Sequence, residues 1–200
     1  VSACKKEEDH NSSPANATYL PFKTGNYWIY QRFEATHSGS LNPLNEYDSC
    51  YVEKDTLIAG HVYFKMYSYN PIFANLSIKY LRDSLHYIIN SNGDITFSAL
   101  DFSTPFNSGY LLASPSDTIC SYVTKMEDKD IMTWAPAGIF PTSSFRNTSR
   151  FYPNWVVLNL QERQLNVRYS KNVGIITEAF PGSFMDSVYM ERRLVRYHLN

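Results

Sequence analysis

The chain has 200 residues, which is enough for one domain or two small ones, and it can bury a core without a metal ion or a disulfide. Its formal net charge is −1, with 18 Lys and Arg mixed among 19 Asp and Glu. This balance argues against a nucleic-acid-binding protein, which needs a basic face or stripe. No stretch stays apolar over the roughly 18 residues that predict a transmembrane helix.

The chain opens with the tetrad Val1-Ser2-Ala3-Cys4, followed at once by the charged run KKEED. The tetrad resembles a bacterial lipobox, and the charged run resembles the tract after the lipid cysteine in Bacteroidota-type surface lipoproteins. The resemblance implies a signal peptide cut before Cys4, acylation of the Cys4 thiol, and an outer-membrane location on the periplasmic or cell-surface face. The alternative interpretation is an ordinary terminal thiol on a solvated, charged tail.

Residues 1–18 are predicted to form this anchor and a disordered tether, because the polar residues that follow Cys4 show no periodicity and have too little apolar surface to fold. Residues 19–200 are predicted to form one extracytoplasmic domain. Tyr and Phe are abundant, with sixteen and twelve residues, and both favour strands.

Short runs of β-branched and aromatic residues then alternate with turn signals along the chain. Gly25-Asn26 leads into a strand at Tyr27, and Asn92-Gly93 is a strong hairpin signal. Further strands are predicted at 50–58, 62–69, 77–80, 85–90, 95–100, 118–126, 130–134, 139–150, 155–160, 165–169, 174–179 and 187–199, with a long loop at 102–116. The spacing predicts an all-β, mainly antiparallel fold, a single-domain sandwich or open barrel with at most one or two short helices.

Four segments of this body follow one another in the order of a known pattern. They are GNYWIY (25–30), APAGIF (135–140), YSKNVGII (169–176) and RLVRY (193–197). Together they resemble a family of uncharacterised secreted bacterial lipoproteins. What the resemblance implies is a β-rich extracytoplasmic domain without an assigned activity.

Patterns that carry known chemistry are missing from the sequence. The five histidines are scattered, and no nucleophile elbow, P-loop or dinucleotide fingerprint occurs. Residues 127–130 lack the ligand spacing of a calcium loop, so a solvated turn is the better interpretation. The sequence therefore predicts no catalytic, cofactor-binding or metal-binding residue, although carboxylate pairs for glycoside hydrolysis are set by space and leave no local pattern.

Two kinds of covalent feature are candidates in the body. Cys50 and Cys120 lie in strand-like runs, and they would form a disulfide if those strands are neighbours, or else remain buried free thiols. Asp-Ser/Thr followed by an aliphatic residue occurs four times and resembles the O-glycosylation acceptor of Bacteroidota envelope proteins, while Asx-type turns are the alternative. The acceptor residues would be Thr56, Ser84, Thr118 and Ser187.

The aromatic residues do not settle whether the protein binds a ligand, or of which class. Seven of them could line a cleft for a glycan or an apolar small molecule, or form cross-strand pairs and core: Tyr63, Phe64, Tyr67, Tyr69, Phe102, Phe106 and Tyr110. Trp28 is predicted to be a core residue. The sequence favours a membrane-anchored binding or interaction module that contacts the membrane through Cys4 and binds no nucleic acid. An envelope hydrolase acting on glycans or lipids, or a purely structural surface protein, are the alternatives, and the largest cavity is the observation that distinguishes them.

Overall fold

A computed structural model describes residues 18–36, 38–71, 74–156, 161–181 and 188–200. These ranges form twelve β-strands and one 3-10 turn, Pro153–Trp155. The strands are β1 (Tyr27–Thr36), β2 (Leu41–Ile58), β3 (His61–Asn70), β4 (Asn75–Ser84), β5 (Tyr87–Asn90), β6 (Ile95–Ser98), β7 (Asn107–Ser114), β8 (Asp117–Ala135), β9 (Gly138–Phe151), β10 (Glu162–Ser170), β11 (Gly174–Phe180) and β12 (Val188–His198). Within the described ranges no helix has the length and apolar character needed to cross a membrane.

All twelve strands belong to one antiparallel sheet that curls into a half-barrel. Their order is β6-β5-β4-β3-β2-β1-β12-β11-β10-β9-β8-β7, so strands β1–β6 and β7–β12 each run as a meander. The two meanders join where β1 pairs with β12, from Tyr27 opposite His198 to Thr36 opposite Val188. The prediction of an all-β antiparallel fold is confirmed, and of its two forms the open barrel is the one that occurs.

Bulges give the sheet its curl. Register shifts interrupt seven strand pairs, among them β1–β12 between Ile29 and Tyr30, and β8–β9 between Glu127 and Ile131. Each bulge bends its strand and increases the local right-handed twist. A sheet bent at many points in this way wraps around its own side chains, which makes the concave face the interior of the protein.

Strand β1 has buried side chains on both faces, one face in its first half and the other in its second half. Trp28 and Tyr30 are 1% exposed on the concave face, whereas Phe33 and Ala35, at 4% and 0%, are buried on the opposite face. The sequence YWIYQRFEAT allows this because large or apolar residues occupy both parities of the strand. The prediction that Trp28 is a core residue is confirmed.

The segment before β1 lies in the interior. Leu20 is 2% exposed, the Tyr19 ring lies 4.6 Å from the Phe97 ring, and Phe22 stacks on Phe64 at 5.1 Å. The Thr18 carbonyl accepts a hydrogen bond of 2.7 Å from the Asn172 backbone N–H. Residues 1–17, which hold the predicted anchor and most of the tether, lie outside the described ranges, so the boundary at residue 18 stays a prediction.

The Gly25-Asn26 turn joins the two ends of the described body. Asn26 is 1% exposed; its amide nitrogen donates to the Pro21 carbonyl at 2.8 Å, and its amide oxygen accepts from the Asn200 backbone N–H at 2.8 Å. Gly25 has φ +88°, a conformation that disfavours any side chain. The Gly-Asn turn signal in the sequence therefore reflects a buried turn whose backbone conformation favours glycine.

Several predicted elements are wrong, shifted or only partly described; the strand predicted at 50–58, for example, begins at Leu41. Residues 102–116 were expected to form a loop, but Asn107–Ser114 forms β7, which pairs with β8 at the edge of the sheet. Residues 118–126 and 130–134 belong to one long strand, β8, because a bulge with Asp128 and Asp130 at positive φ keeps it continuous. Of the strand predicted at 155–160, Trp155 lies in the 3-10 turn and 157–160 lie outside the described ranges.

Candidate functional site

A buried ion pair between β11 and β12 lies on the concave face. Arg192 and Glu178 lie opposite each other and are 1% and 7% exposed. The Nε and Nη2 atoms of Arg192 both donate to Oε2 of Glu178. The guanidinium also lies over the Tyr30 ring, at 4.6 Å from its centroid. A charge buried this deeply is stable only when it is paired and hydrogen-bonded, and this one is both.

The same guanidinium reaches strand β3, on the other side of β1 and β2. Arg192 Nη2 donates to the Ser68 hydroxyl at 3.0 Å, and Nη1 donates to the Tyr69 carbonyl at 3.3 Å. Arg192 lies on β12, and two strands, β1 and β2, separate β12 from β3 in the sheet order, so these bonds cross the hollow of the half-barrel. Arg192 therefore ties the two meanders together across their shared interior.

The Glu178 carboxylate is held in its ionised form. Burial raises its pKa, but Arg192 and Lys79 lower it more strongly, and the net shift is downward. Lys79 Nζ lies 3.9 Å from Oε1 of Glu178 and its side chain is about half exposed (48%). A carboxylate with a lowered pKa and both oxygens next to cations is a poor general acid, because it releases its proton far below neutral pH.

An inner cavity of about 200 Å³ lies beside this ion pair. It is lined by Arg192, Glu178, Lys79 and Ser68 on one side, and by apolar side chains that include Cys50, Met66, Phe145 and Val167. Its only carboxylate among the described residues is Glu178. The space is too small for a drug-sized ligand, whose pockets usually measure about 300–1,000 Å³.

A larger outer cavity of about 390 Å³ lies on the same face, nearer the β7 edge. Most of its lining is apolar or aromatic: Leu111, Cys120, Tyr122, Phe151, Leu165 and Pro181. The polar residues are Asn147, Ser149 and Arg163, and the Arg163 guanidinium lies 5.6 Å from the Phe151 ring centroid. Its volume and lining match those of small-molecule sites.

The register of β9 and β10 places the two cavities next to each other. Phe145 pairs with Val167 at the inner cavity, and two residues further along each strand Asn147 pairs with Leu165 at the outer cavity. Side chains two residues apart on a strand point to the same face. The two cavities are therefore successive parts of one trough along the concave side of β9 and β10, which we call the concave trough.

The described residues hold no group of three or more His, Cys, Asp and Glu that could bind a metal ion. The opposite, convex face of the same strands carries a polar groove of about 320 Å³, lined by charged residues of both signs such as Lys125, Glu127 and Arg146. Arg146 is already paired there, with its Nη2 2.5 Å from Asp128. The convex groove is thus a network of satisfied ion pairs.

The predicted modification sites are spread over the molecule. Thr56 lies in β2, Ser84 at the end of β4 and Thr118 in β8, and all three are half-buried. Cys4 and Ser187 lie outside the described ranges. Acylation of Cys4 and glycosylation of these hydroxyls remain predictions.

Cys50 and Cys120 are buried free thiols in the described structure. Cys50 lines the inner cavity and Cys120 the outer one. Burial raises the pKa of Cys50, although the Arg192 and Lys79 charges act against this shift. Both cysteines thus occupy the trough as small apolar side chains.

The aromatic residues named from the sequence mostly pack against one another. Tyr67 stacks on Tyr51 at 5.0 Å, and Phe106 stacks on Phe145 at 6.2 Å. Tyr63 is 6% exposed, whereas Tyr110 on the edge strand is 66% exposed. Phe64 packs on Phe22, as described above, Phe102 faces Lys129, and Tyr69 lies beneath Arg32. Apart from Tyr110, they take part in packing contacts with other side chains, and Phe151 and Tyr122, which line the trough, were not among them.

The residues that organise the trough were missed by sequence reasoning. Arg192 lies in a strand with two other arginines and looks like a solvent-facing charge. Glu178 is the single charge in the apolar run GIITEAF, and that isolation is the one local signal that could have drawn attention to it. Arg163 stands in the polar run ERQLN and carries no such signal.

No protein-family model matches the chain, and no curated protein matches its sequence. Among solved structures, the fold is similar to that of a Bacteroides fragilis protein described as exported and as having a YmcC-like fold. That match has 12% identity and a TM-score of 0.51, and covers 92% of this chain and 100% of the other. A Parabacteroides distasonis protein described as a lipoprotein matches with 12% identity and a TM-score of 0.48, over 91% of this chain and 99% of the other. The first likeness shows a shared fold.

Proposed function

We propose that this protein is an envelope lipoprotein, anchored to the outer membrane through acyl chains on Cys4, that binds an apolar small molecule in the concave trough. The anchor is supported by the tetrad VSAC and the charged run after it. The shared fold with a protein described as exported agrees with a place in the envelope.

The observation that carries the binding function is the outer cavity, which is smaller than the groove of about 610 Å³ beside Pro153 and Glu162 but has the more apolar lining. Its volume of about 390 Å³ and its walls of Leu111, Phe151, Leu165 and Pro181 suit an apolar ligand such as an acyl chain. A glycan would need many more polar partners for its hydroxyl groups than this lining offers. The inner cavity, with its single ion-paired carboxylate among the described residues, supports binding rather than hydrolysis by a carboxylate pair.

The binding function is tested by filling the trough. Ser149 lies on the concave face and lines the outer cavity, and Thr148, one residue earlier, lies on the convex face. Ser149→Trp should weaken binding of a fluorescent long-chain fatty acid at least about tenfold, because the indole occupies the volume that the chain needs. Thr148→Trp is the matched control and should bind as wild type does.

Circular dichroism on both variants checks that the sheet is intact. Equal fatty-acid affinity in wild type and a folded Ser149→Trp variant would rule out the trough as the binding site. If the wild type binds no fatty acid, the proposed binding function is wrong.

The anchor is tested separately. Expressed with its native signal, the protein should carry acyl chains on Cys4 by mass spectrometry and fractionate with membranes. Cys4→Ala should release it into the soluble fraction. A wild-type protein that is soluble and unacylated would refute the lipoprotein assignment without affecting the trough.

A further inference from the structure

The tip of the β8–β9 hairpin has one buried and one exposed face. Pro136 and Ala137 form a two-residue turn between Ala135 and Gly138. Facing the protein, Thr133 is 8% exposed, Ala135 0% and Thr142 1%. The opposite face carries Met132, Trp134, Ile139 and Pro141, which we call the hairpin patch.

The hairpin patch is exposed, contiguous and uncharged. Met132, Trp134 and Ile139 are 62%, 49% and 64% exposed, and Pro141 is exposed as well. Trp134 pairs with Ile139 across the hairpin, and Met132 pairs with Pro141. No charged residue occurs from 131 to 142. A cluster of large apolar side chains at the end of a hairpin is expensive to leave in water and marks an interaction surface.

The hairpin tip is fixed in place. The Ala137 N–H donates to the Leu194 carbonyl at 2.9 Å, and Arg193 Nη1 donates to the Trp134 carbonyl at 2.7 Å. The Trp134 ring packs edge-on against Phe33, with 6.2 Å between ring centroids, and Arg193 lies 5.4 Å from its centroid. The protein thus holds the patch rigidly outward, so the exposure is a property of the fold and not of a loose loop.

The position of the patch relates it to the start of the described chain. Thr18 accepts from Asn172, and the neighbouring Val173 carbonyl accepts from Trp28 Nε1 at 2.6 Å. Trp28 lies opposite Tyr197 on β12, three residues from Leu194, to which the hairpin tip is bonded. Three residues of a strand span about 10 Å. A short series of contacts through Asn172, Trp28 and β12 therefore links the start of the tether to the hairpin tip.

We propose that the hairpin patch lies against the lipid surface to which the protein is anchored. This inference rests on the proposed function for the anchor at Cys4. The 14 residues from Cys4 to Thr18 reach at most about 46–50 Å, so the body stays within roughly one molecular diameter of the bilayer. Such a tether keeps the effective concentration of the patch at the bilayer high, so that even weak contact with the lipid adds to the anchor.

The chemistry of the patch fits a membrane interface. Trp is enriched at the headgroup level of bilayers, where its ring is apolar and its N–H still finds a partner. Met132 and Ile139 flank the indole and would enter the outer part of the hydrocarbon. The patch has few hydrogen-bonding groups, and contact with the apolar part of a bilayer does not require them. The APAGIF segment of the sequence thereby gains a role: it builds the turn that presents these residues.

Vesicle binding by the full chain carrying Cys4→Ala tests the patch without the anchor. Vesicles of phosphatidylethanolamine with phosphatidylglycerol should bind this protein and shift its Trp emission to the blue, and Trp134→Phe should remove the shift. Met132→Glu with Ile139→Glu should lower vesicle partitioning at least about tenfold, because two carboxylates would enter the interface. Both side chains are more than half exposed, so the fold should tolerate the change.

The matched control is the β2–β3 hairpin, where Leu57 and Val62 pair across the tip and are 70% and 52% exposed. Leu57→Glu with Val62→Glu should leave partitioning unchanged. Equal partitioning of the Met132/Ile139 variant and the parent, or an equal loss in the control, would overturn the inference. So would self-association of the chain through the patch without vesicle binding, which would identify a second copy as its occupant. Lack of acylation at Cys4 in the native protein would refute the anchor alone, since these vesicle measurements use the unacylated chain.

Discussion

Substitution of the Arg192–Glu178 pair tests how much this buried ion pair stabilises the curled sheet. Each side chain can be replaced alone by Met, an unbranched side chain that fills irregular space, and both can be replaced together. Glu178→Met leaves a buried guanidinium whose remaining acceptors are the Ser68 hydroxyl and the Tyr69 carbonyl. Arg192→Met leaves a buried carboxylate with Lys79 at 3.9 Å.

The expected magnitudes follow from this geometry. Removing one member of a buried ion pair costs about 3–5 kcal/mol, because the other charge stays out of water without its partner. The double variant removes both charges and leaves only the Ser68 hydroxyl and the Tyr69 carbonyl without their donor, at about 1–3 kcal/mol. The double variant should therefore be more stable than either single variant.

Urea unfolding of the wild type and the three variants measures this, with the m-values compared to confirm a similar denatured state. If a single variant loses so much of the roughly 5–15 kcal/mol of a typical domain that it does not fold, recovery of a folded sheet in the double variant gives the same answer. Additive losses, with the double variant the least stable, would refute the view that Arg192 and Glu178 are needed chiefly for each other.

Three further predictions concern stability and reactivity. Trp28→Ala should cost about 3–5 kcal/mol in urea unfolding, since the indole is 1% exposed and leaves a cavity; a loss below about 1 kcal/mol would contradict its core role. The pKa of Glu178 lies below its ordinary value of 4.5, so its contribution to stability is present above that value and is lost as the pH falls through the folded-state pKa. Wild type should therefore lose more stability than Glu178→Gln between about pH 5 and pH 2, and parallel curves would contradict this. Cys50 and Cys120, at 4% and 3% exposure, should react with a thiol reagent only as fast as the protein opens, and rapid labelling in the folded state would contradict the burial of these two thiols.

The turns that join consecutive strands into hairpins were the most predictable part of the fold. The Ala59-Gly60 turn joins β2 to β3, and the Asn92-Gly93 turn joins β5 to β6, as the turn residues indicate. Strand β7 was missed because its sequence NSGYLLAS is rich in small and turn-forming residues, and its pairing with β8 overrides that local preference. Strand β8 was divided in two because the bulge residues 127–130 are all charged, and a bulge inside a long strand resembles a turn in sequence.

By itself, the sequence determined the all-β class, the antiparallel order of neighbouring hairpins and the burial of Trp28, because each follows from alternation and turn chemistry within a few residues. Only the tertiary structure decided that β1 pairs with β12, that Arg192 reaches Ser68 and Tyr69 across the hollow, and that Cys50 and Cys120 line one trough. These contacts join residues more than a hundred positions apart in the first two cases, and no local pattern records them. They depend on how far a bulged and twisted sheet curls, which is the sum of many small bends along twelve strands.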